Sequence, residues 1–472
     1  MKKIVLVVIF LLLFLVSVSW GEENSAETLY GLGQESLNQG HYQEALAYFD
    51  AVLAANPEHV EALNDKGVAL YFLGRYREAT AVLQKAVEIA PGYATAHYNL
   101  GTAYFKMGDY PRAEEHLKEA FRQDPENSNA CYNLGLVYLN SQEYYKGVVY
   151  FEEAYRLSQN LDALNNLGNC YYYLGFLDLA LETYQNVLKR DPAYAYAHYN
   201  LGNVYDDKGD PQKAEEHYRK AIELKPEYAL AYNALGNLHY TQGDYQKALV
   251  EYEKVVSLEP FSLDGWLNLG NTYYEMGYLY RSIATYEKIL ELNPNDYQVL
   301  TYIGINYLDL RRYHTAMEKF QEALRIHPTY APAFFNLGNT YLDMEEFPRA
   351  IEMYQKALEI DPSYQTALNN LGNAYVFTRN YQKAEESYQK ALRIDPDYFL
   401  ARYNLANLYL QLKRYTEAIP HYEKALELNP HNPQVHYGLG LAYFHGGEIP
   451  KAEGQLAILQ ELDSGLAQEL EK

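Results

Sequence analysis

The sequence predicts an all-α protein built from about thirteen helix-turn-helix repeats, and three observations predict it. Prolines recur every 34 residues, small residues recur at two fixed places in each 34-residue unit, and each unit holds two stretches of helical periodicity around a turn signal. A gap of 67 residues between Pro125 and Pro192 equals two units with one residue missing, which predicts a 33-residue unit at 128–160. The prolines are Pro57, Pro91, Pro125, Pro192, Pro226, Pro260, Pro294, Pro328, Pro362, Pro396 and Pro430.

The phase of the prolines divides most of the chain into units, and we number the positions of each unit from 1. The units begin at residues 26, 60, 94, 128, 161, 195, 229, 263, 297, 331, 365, 399 and 433. The predicted organisation is a leader at 1–21, a linker at 22–25, a repeat region at 26–466 and a tail at 467–472. Leu466 and Leu470 are spaced to share one face, so the tail is predicted to form a capping helix.

Each unit carries its own turn signal between the two predicted helices. In the unit that begins at 195, residues 195–224 read AYAHYNLGNVYDDKGDPQKAEEHYRKAIEL, and Gly209 can adopt the left-handed conformation that ends the first helix. Asp210 can then cap the second helix, and in other units Pro111, Pro348 and Pro450 sit in its first turn, where the missing amide proton costs nothing. The pattern predicts two antiparallel helices in every unit.

Small residues at fixed positions predict that these two helices touch closely. Position 8 is Gly in twelve of thirteen units, with Ala406 the exception, and position 20 is Ala in eleven, with Gly147 and Ser282 the substitutes. A glycine inside a helix costs about 1 kcal/mol relative to Ala, so its recurrence requires a packing cause. Position 11 is Tyr in ten units, and we expect this ring to fill the volume beside the contact.

In these features the chain resembles the tetratricopeptide repeat (TPR) family, over essentially the whole of residues 26–466. The resemblance implies a right-handed superhelical solenoid in which neighbouring helix pairs bury each other's apolar faces. It also implies that the first helices line a concave groove, into which positions 2, 5, 6, 9, 12 and 13 point. The question of a ligand is decided at these positions.

Asparagine dominates two of the predicted groove positions. An Asn amide both donates and accepts, so a row of them can pair with the backbone of an extended peptide, as the resembling ladder does in O-linked N-acetylglucosamine transferases. Asn is also what an average member of the family carries at both positions, and the sequence leaves that alternative open. Position 6 is Asn at Asn99, Asn133, Asn166, Asn200, Asn268, Asn336, Asn370 and Asn404, and position 9 is Asn at Asn169, Asn203, Asn237, Asn271, Asn339, Asn373 and Asn407.

Aromatic and acidic residues accompany the asparagines. Tyrosines offer flat contact area to peptide side chains or to sugar rings, although they are also typical packing residues of the family. Carboxylates would favour a ligand that carries Lys or Arg, unless they only form a solvated face. Position 5 is Tyr at Tyr30, Tyr98, Tyr132, Tyr199, Tyr403 and Tyr437, position 12 is Tyr at Tyr71, Tyr172, Tyr240 and Tyr274, and the acids are Asp206, Asp207, Glu275, Asp309 and Asp343.

Several functions are disfavoured. The net charge of -23 argues against nucleic-acid binding, which needs clustered Lys and Arg. Positions 2, 5 and 6 hold no basic residue, which argues against the carboxylate clamp of co-chaperones. No catalytic motif or phosphate loop occurs, so we expect neither an enzyme nor a cofactor. No metal site is expected either: Cys131 and Cys170 lack zinc-ligand spacing, and we interpret the recurring histidines at positions 4 and 23 as packing residues.

The N-terminus has the layout of a secretory signal peptide. Lys2 and Lys3 precede an uncharged apolar run at 4–20, and the chain then becomes polar. Cleavage is expected after Gly21, or after Ser19, while an uncleaved membrane anchor is the alternative. We therefore predict an extracytoplasmic scaffold that binds protein or extended, possibly basic, peptide and supports assembly of an envelope complex. An accessory role in polysaccharide assembly or secretion, with a Tyr-rich groove contacting glycan, is the second hypothesis.

Overall fold

The computed structural model describes residues 23–471, and the predicted signal peptide lies outside the described residues. All regular structure within 23–471 is helical, as predicted, and consecutive helices pair as antiparallel hairpins joined by short turns. Two compact units divide the chain between Leu238 and His239. None of the described helices combines the length and apolarity needed to span a bilayer.

The first unit contains six complete helix pairs and most of a thirteenth helix. Odd-numbered helices are the first helix of a repeat and even-numbered helices the second. Their bounds are α1 Glu23–Asn38, α2 Tyr42–Ala55, α3 Val60–Phe72, α4 Tyr76–Ile89, α5 Ala94–Lys106, α6 Tyr110–Gln123, α7 Ser128–Asn140, α8 Tyr144–Ser158, α9 Leu161–Tyr173, α10 Leu177–Arg190, α11 Ala195–Asp207, α12 Pro211–Leu224 and α13 Ala229–Thr241.

The second unit continues the alternation and ends on a short extra helix. Its helices are α14 Tyr245–Leu258, α15 Leu263–Glu275, α16 Leu279–Leu292, α17 Tyr297–Asp309, α18 Tyr313–Ile326, α19 Ala331–Asp343, α20 Phe347–Ile360, α21 Gln365–Phe377, α22 Tyr381–Ile394, α23 Phe399–Gln411, α24 Tyr415–Leu428, α25 Pro433–His445, α26 Ile449–Leu462 and α27 Ser464–Leu470. The α27 residue Leu470 lies against Gly440 of α25, so this helix covers the last hairpin.

The turns between paired helices follow the chemistry of their residues. Gly209 has a φ of 73°, the left-handed conformation that ends α11, and the Asp210 side chain accepts a hydrogen bond from the backbone N–H of Lys213 to cap α12. Where a repeat lacks glycine at position 15, a side-chain residue takes the same conformation, as Arg379 does with a φ of 57°. In the 33-residue repeat, Gln159 ends α8 in the left-handed region and the Asn160 side chain caps α9.

Position 8 is glycine because a side chain of the core, in most repeats the ring at position 24, occupies the space where a Cβ would stand. A Cβ built on Gly338 would lie 2.5 Å from Cε1 of Tyr354, and one on Gly33 would lie 2.6 Å from the ring of Phe49. The packing cause that the sequence predicted is therefore present, but the expected partner is wrong. The residue at position 24 on the second helix fills this volume, and not the tyrosine at position 11.

The tyrosines at position 11 instead connect consecutive repeats. Tyr138 donates from its hydroxyl to Glu114 of the preceding repeat at 2.7 Å, and Tyr409 donates likewise to Glu385 at 2.8 Å. Each ring packs into the core while its hydroxyl reaches a carboxylate at the edge, which suits an amphipathic side chain. Successive hairpins are thus joined both by apolar contact and by polar bonds.

Both cysteines are free thiols buried in the core of the first unit. Burial raises the pKa of Cys131 and of Cys170 to about 12. A thiol that stays protonated at neutral pH is a poor nucleophile and a poor metal ligand. This agrees with the interpretation of both residues as small apolar core residues.

Candidate functional site

The asparagines at position 9 are held by the core behind them. In six repeats the Oδ1 atom of this Asn accepts a hydrogen bond from the hydroxyl of the buried Tyr at position 24 on the paired helix. A buried tyrosine hydroxyl needs an acceptor, and the Asn carbonyl supplies it. The pairs are Tyr184–Asn169 at 2.7 Å, Tyr218–Asn203 at 2.8 Å, Tyr286–Asn271 at 2.6 Å, Tyr354–Asn339 at 2.8 Å, Tyr388–Asn373 at 2.7 Å and Tyr422–Asn407 at 2.6 Å.

The sequence carries the same coupling in every repeat. Asn237 at position 9 is accompanied by Tyr252 at position 24, as in the six bonded pairs. Where position 24 lacks a hydroxyl, position 9 is never Asn. Those repeats combine Phe49 with Gln34, Leu83 with Val68, Leu117 with Thr102, Phe151 with Leu136, Phe320 with Ile305 and Leu456 with Leu441. The sequence analysis missed the position 24 residues, which bond the candidate site residues at position 9, and this co-occurrence is the signal that could have found them.

The asparagines at position 6 donate hydrogen bonds mainly to neighbouring repeats. Six of them donate from Nδ2 to a side chain of the preceding repeat, so they join consecutive first helices. The bonds run from Asn99 to Asn64 at 2.8 Å, Asn133 to Thr102 at 3.0 Å, Asn166 to Tyr132 at 3.1 Å, Asn200 to Asn169 at 2.9 Å, Asn370 to Asn339 at 3.0 Å and Asn404 to Asn369 at 2.9 Å. Asn336 is buried and donates to the Pro332 carbonyl of its own helix at 2.9 Å, and Asn268 is half-buried on α15.

The two predicted Asn rows therefore differ in what they can offer a ligand. Within residues 23–471, the Nδ2 groups of Asn203, Asn271, Asn339, Asn373 and Asn407 donate to no protein atom, and all five side chains are half-buried. Because the tyrosine hydroxyl holds Oδ1, the amide presents its N–H groups away from the core. Those five amides at position 9 keep both N–H groups free, whereas most asparagines at position 6 donate at least one hydrogen bond inside the protein.

The predicted groove tyrosines are also integrated into the protein. The hydroxyls of Tyr98 and Tyr132 accept hydrogen bonds from the Asn at position 6 of the next repeat, and burial raises the pKa of Tyr132. Tyr199 packs against Tyr228 with ring centroids 5.1 Å apart. Tyr403 packs against the ring of Tyr422 at 6.3 Å. Their rings are half-buried, so each offers part of one surface rather than a whole face.

Carboxylates lie at the C-terminal ends of several first helices. Tyr172 donates to Asp207 at 2.6 Å, and Tyr274 donates to Asp309 at 2.8 Å, each bond linking one repeat to the next. Burial and the neighbouring Asp207 raise the pKa of Asp206. A carboxylate with a raised pKa is one whose charge is poorly compensated, and a cationic ligand group would relieve it. Glu275 and Asp343 are exposed on the corresponding turn of their helices.

Clusters of metal-ligating side chains and the recurring histidines bear on whether the chain could carry chemistry. Groups of three or more His, Cys, Asp or Glu side chains that could hold a metal ion are absent from the residues that the structure describes. The recurring histidines at positions 4 and 23 contact each other in pairs inside the repeats, as in His97 with His116. The predictions that the chain is no enzyme and binds no cofactor remain predictions.

Stacked helix pairs with a polar first-helix face define a helical-repeat scaffold. The chain belongs to the tetratricopeptide repeat family, whose members are typically non-catalytic scaffolds for protein–protein interaction. Profiles described as tetratricopeptide repeat or TPR repeat together match residues 30–296, 331–364 and 366–447. The repeat at 297–330 lies outside these matches.

Comparisons with individual proteins add two solved structures. The APC/C hetero-tetramer Cut9-Hcn1 is 16% identical, with a TM-score of 0.44, over 88% of this chain and 96% of that chain. YrrB, a TPR protein with an unusual peptide-binding site, is 30% identical, with a TM-score of 0.35, over 39% of this chain and 96% of that chain. No curated protein matches the sequence.

Proposed function

We propose that this protein is an extracytoplasmic, non-catalytic scaffold that binds extended peptide segments along its first helices and supports assembly of an envelope complex. The observation that carries the proposal is the row of free amide donors at position 9. In the second unit it runs through three consecutive repeats, at Asn339, Asn373 and Asn407. Such donors can pair with the backbone carbonyls of an extended chain, which every peptide presents whatever its side chains are.

The position of each donor is fixed before a ligand arrives. Tyr354, Tyr388 and Tyr422 are 2% exposed or less, and each holds the Oδ1 atom of its Asn at 2.6–2.8 Å. A donor that is already oriented loses little conformational entropy on binding, so more of the hydrogen-bond free energy contributes to affinity. This pre-organisation supports binding rather than mere family composition as the role of position 9.

Charge supports a ligand that carries Lys or Arg. The net charge is -23, and the exposed Asp207, Asp309 and Asp343 lie at the ends of first helices. An acidic face attracts a basic peptide at long range and repels an acidic one. The predicted affinity should therefore fall as the salt concentration rises.

The proposed location rests on the N-terminal sequence. Lys2 and Lys3 followed by the apolar run at 4–20 are typical of a signal peptide or an N-terminal anchor, and both would place the repeats outside the cytoplasm. A fusion of alkaline phosphatase to the C-terminus tests this. Activity of the fusion in intact bacterial cells is expected, and its absence, with activity of a cytoplasmic reporter instead, would reject the location.

The peptide proposal is tested by binding of phage-displayed 12-residue peptides to the chain without residues 1–21. Replacing Asn339, Asn373 and Asn407 together with Ala removes three donor amides, and each lost hydrogen bond to a ligand is worth about 0.5–1.5 kcal/mol. We expect the dissociation constants of selected peptides to rise by about 10-fold or more. The matched control replaces Asn370 and Asn404 with Ala; each of these amides already donates one hydrogen bond to the preceding repeat. Equal affinity losses in both variants, or no loss in the triple variant, would contradict the role of position 9.

A glycan ligand remains the second candidate because some aromatic rings expose their faces. Tyr173 is 58% exposed and stacks on Tyr144 with ring centroids 5.1 Å apart, and Phe72 is 56% exposed and stacks on Tyr42 at 4.9 Å. Such platforms suit sugar rings as well as peptide side chains. Binding on a glycan array that the Tyr173→Ala change abolishes would favour this candidate over a peptide ligand.

A further inference from the structure

Two pairs of histidines in the first unit form the same direct contact between the helices of a repeat. Nδ1 of His97 on α5 lies 3.1 Å from Nδ1 of His116 on α6, and Nδ1 of His198 on α11 lies 3.0 Å from Nδ1 of His217 on α12. Both pairs join positions 4 and 23 of their repeats. His97 and His116 are buried, and His198 and His217 are half-buried.

A backbone carbonyl determines where the protons of each pair must lie. Nε2 of His97 lies 3.1 Å from the carbonyl oxygen of Pro91, which can only accept, so Nε2 carries the proton. The neutral ring then has a lone pair on Nδ1, which accepts from the Nδ1–H of His116. Nε2 of His198 makes the same contact with the carbonyl oxygen of Pro192 at 3.1 Å, so the second pair has the same arrangement.

An added proton opposes this arrangement in both rings. A protonated His97 would point an N–H at the N–H of His116 across 3.1 Å, unless the partner changed its tautomer. A proton on His116 would keep the bond but place a charge on a buried ring that stacks on Tyr104 with centroids 5.7 Å apart. Burial first, and the partner histidine second, lower the pKa of His116 and of His217, and burial lowers that of His198.

No carboxylate within the described residues is hydrogen-bonded to either pair. Near the first pair, Glu115 favours the charged form of His116 and Arg112 opposes it. The carboxylate of Glu119 accepts hydrogen bonds from Arg122 and Gln123 instead. Near the second pair, Glu216 and Glu223 favour the charged form of His198. Lys220, which donates a hydrogen bond to Glu223, opposes it. The bond to the Pro192 carbonyl also raises the pKa of His198, but burial is the largest cause at His116, His198 and His217 and lowers the pKa of all three.

The last repeat uses the same position 4 histidine with a different partner. His436 contacts the carbonyl oxygen of Pro430 at 2.9 Å through Nε2, and its Nδ1 lies 2.6 Å from the amide of Gln455. A glutamine amide can rotate to donate to a neutral ring or to accept from a charged one. A histidine at position 23 is less adaptable. To accept a hydrogen bond from a charged histidine at position 4, it must move its own proton from Nδ1 to Nε2.

We propose that the two histidine pairs form a pH-sensitive switch in the first unit. At neutral pH they stabilise the helix packing of its third and sixth repeats, and on acidification they lower the stability of these two repeats. The sign follows from linkage. A histidine that titrates lower when folded binds fewer protons in the folded state, so its stabilising effect is complete above the unfolded value of about 6.5 and is lost as the pH falls below it. A protein outside the cytoplasm, as proposed above, would experience such changes directly.

The test compares the pH dependence of stability in the wild type and in the His116→Gln, His217→Gln double variant, which copies the pairing of Gln455. Urea unfolding is followed by circular dichroism between pH 7.5 and 5.0. A pair that binds one proton fewer in the folded state than in the unfolded state lowers the folding equilibrium constant by up to about tenfold per pH unit of acidification. The free energy of unfolding of the wild type should therefore fall more steeply with falling pH than that of the variant. The control replaces the exposed His314 and His431 with Gln and should retain the wild-type slope. Equal slopes in the wild type and the double variant would overturn the proposal.

A second measurement keeps the proposal falsifiable if the double variant does not fold. Hydrogen exchange of the wild type, corrected for intrinsic rates, should show protection lost at pH 5 in α5, α6, α11 and α12 before the other helices of the first unit. Nitrogen NMR of histidine-labelled protein at pH 8 should show His97 and His198 protonated at Nε2. Unchanged protection, or protonation at Nδ1 of these two rings, would overturn it.

Discussion

Replacing Gly338 with Ala should destabilise the second unit although alanine is the better helix former. The new Cβ would lie 2.5 Å from Cε1 and 2.6 Å from Cδ1 of Tyr354, whose ring is 0% exposed and whose hydroxyl is bonded to Asn339 at 2.8 Å. Alanine gains about 1 kcal/mol of helix propensity, but overpacking against a ring that cannot retreat costs about 3 kcal/mol, the upper end of its usual range. The expected net loss is about 2 kcal/mol in the free energy of unfolding.

Urea denaturation followed by circular dichroism measures this loss, with hydrogen exchange in α19 and α20 as a local readout. Gly454→Ala is the matched control, because Gly454 is also inside a helix of the second unit and its Cβ would meet no atom within 4 Å. The control should stabilise by up to about 1 kcal/mol. If both substitutions stabilise the protein equally, the ring at position 24 is not the reason for glycine at position 8.

Two further predictions concern the turns and the polar pairs. Arg379→Gly should raise the stability by about 0.5–1 kcal/mol, because a residue with a side chain at a φ of 57° pays more than glycine does; a lower urea midpoint would contradict this. A double-mutant cycle of Tyr388→Phe and Asn373→Ala should give a coupling energy of about 1 kcal/mol, whereas additive losses would mean that their 2.7 Å hydrogen bond contributes nothing to stability.

The fold could be predicted because its causes repeat along the chain. A single glycine such as Gly338 says little, but the same residue type at the same position in twelve repeats requires a common packing cause. The turn at Gly209 and Asp210 was predictable for a local reason, since left-handed backbone and an N-cap each select few residue types. The packing partner of Gly338 was not predictable in the same way, because position 11 and position 24 both carry rings and periodicity alone does not choose between them.

The candidate site was less predictable because an asparagine side chain can both donate and accept, and the sequence does not show which group is used. Asn370 and Asn373 look equivalent in sequence, yet Asn370 donates to the preceding repeat and Asn373 accepts from a core tyrosine. Only the arrangement of the helices decides which amide is left with free protons. The histidines at positions 4 and 23 show the same limit: their spacing suggested packing, while their mutual bond and its proton arrangement depend on where the Pro91 carbonyl points.

The polarity of the first-helix face is therefore set from inside the protein. A tyrosine at position 24 brings a hydroxyl into the core, the hydroxyl needs an acceptor, and the Asn that supplies it leaves two N–H groups on the opposite side. Where the core residue is Leu83 or Phe320, position 9 is Val68 or Ile305, and the face is apolar at that point. The distribution of donors thus follows the choice of core residue, and the repeats of Tyr354, Tyr388 and Tyr422 carry free donors consecutively. A peptide that relies on backbone hydrogen bonds should bind along such runs, and one that relies on side-chain burial should prefer the apolar stretches.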